Sequence, residues 1–195
     1  MKTDKLWIRT NTVCPHKDLF LHATQTANFY KTVINIEIMA NRIGISEENR
    51  AQVARSLNVL LADEHILYMK TRNAHWNVTG ADFQVMHLFF EKQYQQLEEI
   101  IDDVAERIRM LDHYPEATFR HFLQLTHLSE ARDGDNTSLS FIKSLLGDHQ
   151  AVIIHSRQII NEYAEKWKDA GSSDFINALL EKHEKISWML RAHLT

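Results

Sequence analysis

Apolar side chains recur at helical spacing through most of the chain and predict four long helices. Because each residue of a helix advances about 100° around the axis, apolar residues three and four positions apart line one face that can be buried. Four stretches show this spacing, and polar turns separate them. The predicted helices span residues 47–75, 81–112, 138–168 and 174–193, and Ser46 is a suitable N-cap for the first of them.

A long connection, residues 113–137, joins the second and third predicted helices, and its residues 121–125 predict a short helix. Two antiparallel hairpins separated by one long crossover are typical of ferritin-like bundles. The predicted fold class is therefore all-α, a ferritin-like four-helix bundle with a short helix in the crossover. Residues 1–45 show no clear period and are predicted to form a partly ordered N-terminal arm ahead of a domain over 46–195.

The composition agrees with long helices in a soluble protein. Five glycines and two prolines in 195 residues leave few helix breakers, and no apolar run approaches the roughly 20 residues needed to cross a membrane. Cys14 is the only cysteine, so no disulfide forms within the chain and a reducing compartment is expected. We therefore expect a cytoplasmic protein with no membrane partner. The net charge of −4 gives no overall electrostatic reason to bind nucleic acid.

Two pairs of candidate metal ligands occupy one side of the second predicted helix. Their side chains fall within an arc of about 100° around the helix axis. At a rise of about 1.5 Å per residue, the two pairs stand roughly 16 Å apart along the axis, so no single ion can contact both in one chain. The first pair is His87 and Glu91, and the second, eleven residues further on, is Asp102 and Glu106.

The candidate ligands are predicted to point sideways from the bundle, because their arc is centred about 130° from the apolar stripe of the same helix. An interior di-iron site of the ferritin type uses Glu-x-x-His pairs, and none of the twelve histidines has a glutamate three residues before it. A lateral site would form if the helix met its own copy antiparallel across a two-fold axis, where the small side chain of Ala105 lets the backbones approach. The alternative is that each pair is an ordinary surface pair, which Arg107 and Arg109 favour for the second one.

His75 is a fifth candidate ligand, near the end of the first predicted helix. The turn at residues 77–80 folds the second helix back beside the first, so that His75 and His87 lie within about two helical turns of one level. The spacing permits the two imidazoles to converge but does not require it. A capping or solvent-facing histidine is the alternative.

The segment KTRNAHWNVTG, residues 70–80, closely resembles the Dps family of mini-ferritins, the DNA-binding proteins from starved cells. The resemblance includes the spacing of the two ligand pairs that follow this segment. It covers residues 46–195, about three-quarters of the chain. Further matching stretches are 115–118, 169–174 and 183–191.

The resemblance implies a hollow dodecameric cage with ferroxidase centres at its two-fold interfaces. Each centre would bind two iron ions, oxidise Fe(II) to Fe(III) preferentially with hydrogen peroxide, and pass ferric product to a mineral stored in the cavity, which protects DNA from oxidative damage. Position 91 is often aspartate in the family, and glutamate keeps the carboxylate but lengthens its reach. By motif match one subunit supplies His75, His87 and Glu91, and its neighbour supplies Asp102 and Glu106.

DNA binding is a separate expectation, since in the family it often depends on lysine- and arginine-rich tails. Residues 1–17 carry a basic excess of three charges, which twelve copies could present together to phosphates, but a packing arm is the alternative. A nucleoid-associated structural protein with a vestigial metal site is the runner-up function. A helical adhesion or signalling oligomer that lost the chemistry is a third.

Two further features near the predicted site each have two interpretations. Trp76 adjoins His75 and could exchange a stray electron, or it could simply pack in an interface. The acidic residues of the crossover could line an iron-entry pore, since clustered carboxylates concentrate cations, or they could form a solvated loop. These acidic residues are Glu130, Asp133 and Asp135.

Overall fold

A computed structural model of the chain describes residues 43–130 and 134–194 and confirms the all-α, ferritin-like four-helix bundle. A short helix lies in the crossover, as predicted, and a π-helical turn, Glu162–Lys166, extends the third long helix. The described residues contain no strand, only one isolated bridge between Thr79 and Thr137. The helices are α1 (Glu47–Asn77), α2 (Phe83–Met110), α3 (Phe119–Leu125), α4 (Ser138–Asn161) and α5 (Ala170–Arg191).

The bundle consists of two helical hairpins, in which α1 packs along α2 and α4 packs along α5. The short α3 packs against α1. Apolar stripes of the four long helices meet in one core, as their spacing predicted. On α2 the buried side chains are Met86, Phe90, Gln93, Leu97, Ile100, Val104 and Ile108.

Side-chain caps explain where several helices begin. The Ser46 hydroxyl accepts a hydrogen bond of 3.2 Å from the Asn49 amide, which confirms it as the N-cap of α1. Residues 169–173 lie between the third and fourth predicted helices, where a turn was expected, but most of this stretch is helical. Asp169 is the N-cap of α5 and accepts from the Ser172 amide at 2.9 Å, so the helix begins four residues earlier than predicted.

Some sequence-based predictions concern residues outside those described. The N-terminal arm over 1–45 falls almost wholly in this group, as do its basic residues, Cys14 and Asp133. Among the residues that are described, none of the helices is long and apolar enough to span a membrane.

Three ionisable side chains from three helices meet inside the bundle, which the sequence did not predict. The Nδ1 atoms of His149 (α4) and His183 (α5) lie 2.9 Å apart and share a hydrogen bond. On its other side, His183 Nε2 lies 2.8 Å from Glu64 Oε1 of α1. All three residues are buried, and His149 Nε2 has no hydrogen-bond partner in residues 43–130 and 134–194. Because His183 stands between its two neighbours, the three side chains do not converge on one point.

This buried group should make the stability of the fold depend on pH. Burial, and secondly the neighbouring His183, lower the pKa of His149 well below its usual value of 6.5. The unfolded chain therefore binds a proton below about pH 6.5 that the folded chain does not, so stability is lost as the pH falls. Uptake of this one proton by the unfolded chain makes the equilibrium constant for unfolding rise about tenfold for each unit by which the pH falls. We expect His149→Gln to remove this contribution, measured by chemical denaturation between about pH 7 and 5.

Ser156→Ala is the matched control, because Ser156 is also buried on α4 but does not titrate in this range. It should change the free energy of unfolding without changing its pH slope. Burial also lowers the pKa values of His65 and His155, so some pH dependence remains in every variant. A His149→Gln slope equal to that of the wild type would contradict the prediction.

Candidate metal centre

The end of α1 and the start of α2 lie side by side, which brings His75 and His87 into direct contact. His75 lies in the last turn of α1, and His87 lies at the second turn of α2. Their rings stack with centroids 3.8 Å apart and an interplanar angle of 25°. Gly80, with φ of +133°, lies in the tight connection that makes this close return possible. The solvent-facing alternative for His75 is wrong, since it is only 9% exposed.

Two reciprocal hydrogen bonds fix which nitrogen of each ring is available. Nδ1 of His75 lies 2.9 Å from the carbonyl oxygen of His87, and Nδ1 of His87 lies 2.8 Å from the carbonyl oxygen of His75. A carbonyl can only accept, so each Nδ1 carries the hydrogen and donates it. In the neutral imidazole each Nε2 then carries a lone pair. Such a backbone hydrogen bond is the usual device that orients a metal-binding imidazole.

The three carboxylates of the predicted site have no polar partner among the described residues. Glu91 is half-buried one helical turn beyond His87, and Asp102 and Glu106 are exposed. Within residues 43–130 and 134–194, none of the three has a hydrogen bond or ion pair. They are therefore free to act as ligands.

A single chain does not assemble the five residues into one site. The structure brings His75 and His87 together, with Glu91 nearby on the same helix, but leaves Asp102 and Glu106 roughly 16 Å or more along α2. Among the described residues, no three His, Cys, Asp or Glu side chains are grouped so that they could hold a metal ion. A complete site needs carboxylates from a second source.

Arg107 is not the ordinary surface charge that the sequence suggested. Its Nη2 lies 3.1 Å from Oδ1 of the buried Asp169, and its Nε donates to the Ser172 hydroxyl at 3.0 Å. An added Cβ at Gly171 would lie 3.1 Å from the same Nη2, so glycine gives the guanidinium room. These contacts tie α2 to the start of α5. They fix the segment of α2 that carries Glu106.

Sequence reasoning missed the aromatic surroundings of His75. Tyr94 of α2 meets the His75 ring edge-on, with centroids 5.2 Å apart at 72°. The sequence did contain a signal for this contact, because Tyr94 lies seven residues after His87 and so shares its face of α2. Trp76 is 55% exposed, and the Arg72 guanidinium lies 4.9 Å from its ring centroid.

Asp135, one of the three acidic residues named in the crossover, has a local structural role. Asp135 Oδ1 accepts from the Thr137 amide at 3.1 Å and from the Thr137 hydroxyl at 2.6 Å. Thr137 is itself the N-cap of α4. Asp135 thus stabilises the entry into α4, while Glu130 is exposed.

Comparison with known proteins places the chain in a family. The model of the ferritin-like domain family matches residues 54–195. The chain is 36% identical to the DNA protection during starvation protein of Helicobacter pylori over 138 residues, which cover 71% of this chain and 95% of that protein. It is also 37% identical to an uncharacterised low temperature-induced protein of Nostoc sp. over 152 residues, 78% of this chain and 85% of that protein.

Solved structures support the same family assignment. The Dps protein of Vibrio cholerae, described as a member of a broad superfamily of ferritin-like diiron-carboxylate proteins, matches with a TM-score of 0.74 at 33% identity. The match covers 80% of this chain and 97% of that one. A Dps protein from Bacillus brevis matches with a TM-score of 0.71 at 30% identity, over 76% of this chain and 98% of that one. The chain therefore belongs to the Dps family of ferritin-like proteins.

Proposed function

We propose that this protein is a ferroxidase that oxidises Fe(II) at centres shared by two subunits and stores the ferric product. The reciprocal hydrogen bonds between His75 and His87 carry this proposal, because they engage Nδ1 of each ring and leave Nε2 as the metal-binding atom. His87 shares its side of α2 with the three carboxylates of the proposed centre. Mixed imidazole and carboxylate ligands suit Fe(II), and the oxygen ligands favour the harder Fe(III) product.

Each centre takes two Fe(II) ions as its substrate. Asp102 and Glu106 of one subunit would hold the first ion together with His75 of the other. The two carboxylate oxygens of Glu106 would allow it to contact both ions. His87 and Glu91 hold the second ion. The carboxylate oxygens stabilise the charge that the iron gains as it is oxidised.

Hydrogen peroxide is the proposed oxidant. Two Fe(II) ions lose one electron each, and peroxide takes both electrons as its O–O bond breaks to give two hydroxide ions. Because both electrons arrive in one event, no hydroxyl radical is released. The ferric ions then pass to a mineral inside a closed cage, for which a dodecamer is proposed. DNA is protected because Fe(II) and peroxide are removed together.

The test is ferric formation by metal-free protein. After Fe(II) and then peroxide are added, wild-type protein should show a rapid rise in the near-ultraviolet absorbance of ferric iron. His75→Ala should slow this rise by at least about tenfold, since it removes a proposed ligand of the first iron ion. His121→Ala is the control, because His121 lies on α3, outside the proposed centre, and its side chain pairs with Glu116.

Equal rates for the wild type and His75→Ala would refute the proposed centre. The nucleoid-binding alternative predicts a different outcome. If that alternative is correct, iron oxidation is slow in every variant and the protein retards DNA in a low-salt gel. The two functions are therefore separated by running both assays on the same preparations.

A further inference from the structure

A cation held by three aromatic rings lies next to His75. The Arg72 guanidinium carbon is 4.4 Å from the ring centroid of Tyr94 and 5.7 Å from that of Tyr68. Its Nη1 donates to the Tyr68 hydroxyl at 3.1 Å. With Trp76 these residues form what we call the Arg72 cluster: Tyr68, Arg72, Trp76 and Tyr94.

Aromatic rings are the main partners of Arg72. Within the part of the chain that the structure describes, it forms no ion pair, and its buried Nε has no hydrogen-bond partner. A guanidinium attracted to the faces of several rings holds those rings in place as well as itself. Tyr68 and Tyr94 also meet edge-on, with centroids 6.2 Å apart at 90°. The position of Tyr94 is therefore fixed from two directions.

Tyr94 passes this constraint to His75. Its ring meets the imidazole edge-on at 5.2 Å, while the His87 ring stacks on the imidazole at 3.8 Å. Rotation of the His75 ring about its Cβ–Cγ bond would break both ring contacts and the hydrogen bond from Nδ1 to the His87 carbonyl oxygen. The imidazole plane, and with it the direction of the Nε2 lone pair, is set by these neighbours.

We propose that Tyr94, held by Arg72, is a positioning residue that orients the His75 imidazole for iron binding. The inference rests on the proposed function, because it concerns the same centre. It does not require Tyr94 or Arg72 to touch the metal. Residues that orient a ligand in this way are expected to affect metal affinity and coordination geometry more than folding.

A second arginine–tyrosine pair in the chain provides a matched control. The Arg109 guanidinium carbon lies 4.0 Å from the ring centroid of Tyr114, which is 78% exposed. Arg109 is 22 residues after His87, roughly 33 Å along α2. Removing the Tyr114 ring deletes the same kind of contact without reaching His75.

The experiment uses Co(II) as a spectroscopic probe in the place of Fe(II) and the full-length protein. Visible absorption of bound Co(II) reports the geometry of its ligands, and the titration gives Kd. We expect Tyr94→Leu and Arg72→Gln each to raise Kd by about tenfold and to alter the absorption bands. Tyr94→Phe keeps the ring and should rescue both quantities, and Tyr114→Leu should leave both at their wild-type values.

Wild-type spectra and Kd values in Tyr94→Leu or Arg72→Gln would overturn the positioning role. If Tyr94→Leu fails to fold, Arg72→Gln decides the question, because it changes only a half-buried side chain. If the wild-type protein itself binds no Co(II), the proposed centre fails, and the positioning role falls with it. Loss of binding in Tyr94→Phe as well as Tyr94→Leu would also overturn the inference, since it would show that the hydroxyl and not the ring is required.

Discussion

Co-expression of His75→Ala and Asp102→Ala subunits is expected to restore about a quarter of the wild-type ferroxidase rate, although each variant alone is nearly inactive. If a centre takes His75 from one subunit and Asp102 from its neighbour, a mixed pair has one centre with both substitutions and one centre with neither. Random assembly makes half of the pairs mixed, and each mixed pair keeps one of its two centres. Initial rates of ferric formation by the mixed assembly measure the recovery.

The control is co-expression of His75→Ala with Glu91→Ala. Both residues are proposed to come from the same side of the interface, so every centre in a mixed pair keeps one substitution and no centre is intact. The rate should then stay near that of the single variants. Recovery in this control, or none with the first combination, would contradict the shared centre. A chain that built its site alone would give no recovery in either mixture.

The fold follows closely from the sequence because the helical period is strong on every long helix. On α2 the apolar stripe is buried as expected, with Ile100 fully buried and its neighbour Ile101 partly buried against the core. A shift of one residue changes the direction of a side chain by only about 100°, and both isoleucines can reach the core edge. The helix ends were less predictable. Aspartate is favoured both in turns and at N-caps, so only the folded chain shows which role Asp169 takes.

The site was partly predictable for a related reason. A short turn between two helices brings the residues on either side of it to adjacent levels, so the sequence permitted a contact between His75 and His87 without requiring it. The hydrogen bonds to each other's carbonyl oxygens could not be predicted, because they depend on backbone positions that no side-chain pattern encodes. The same is true of the interior group. Glu64, His149 and His183 lie far apart in the sequence, and no local motif links them.

Asp169→Ala is expected to destabilise the protein by about 3–5 kcal/mol, the usual cost of removing one partner from a buried ion pair. Asp169 is 2% exposed and accepts from Arg107 Nη2 and from both the amide and the hydroxyl of Ser172. Alanine removes the N-cap of α5 and leaves the Arg107 guanidinium without its carboxylate. The free energy of unfolding, measured by denaturant titration at one subunit concentration, gives the loss.

Two further variants separate the causes of that loss. Asp169→Asn keeps a capping side chain, so the stability that it loses reports the ion pair with Arg107. Asp103→Ala removes an exposed pair, in which Lys182 Nζ lies 3.2 Å from Asp103 Oδ2, and should cost less than about 1 kcal/mol. Comparable losses for Asp169→Ala and Asp103→Ala would show that the contact with Arg107 contributes no more than a surface pair. Because Arg107 follows Glu106, a large loss would show that the anchor between α2 and α5 stabilises the segment that carries this proposed ligand.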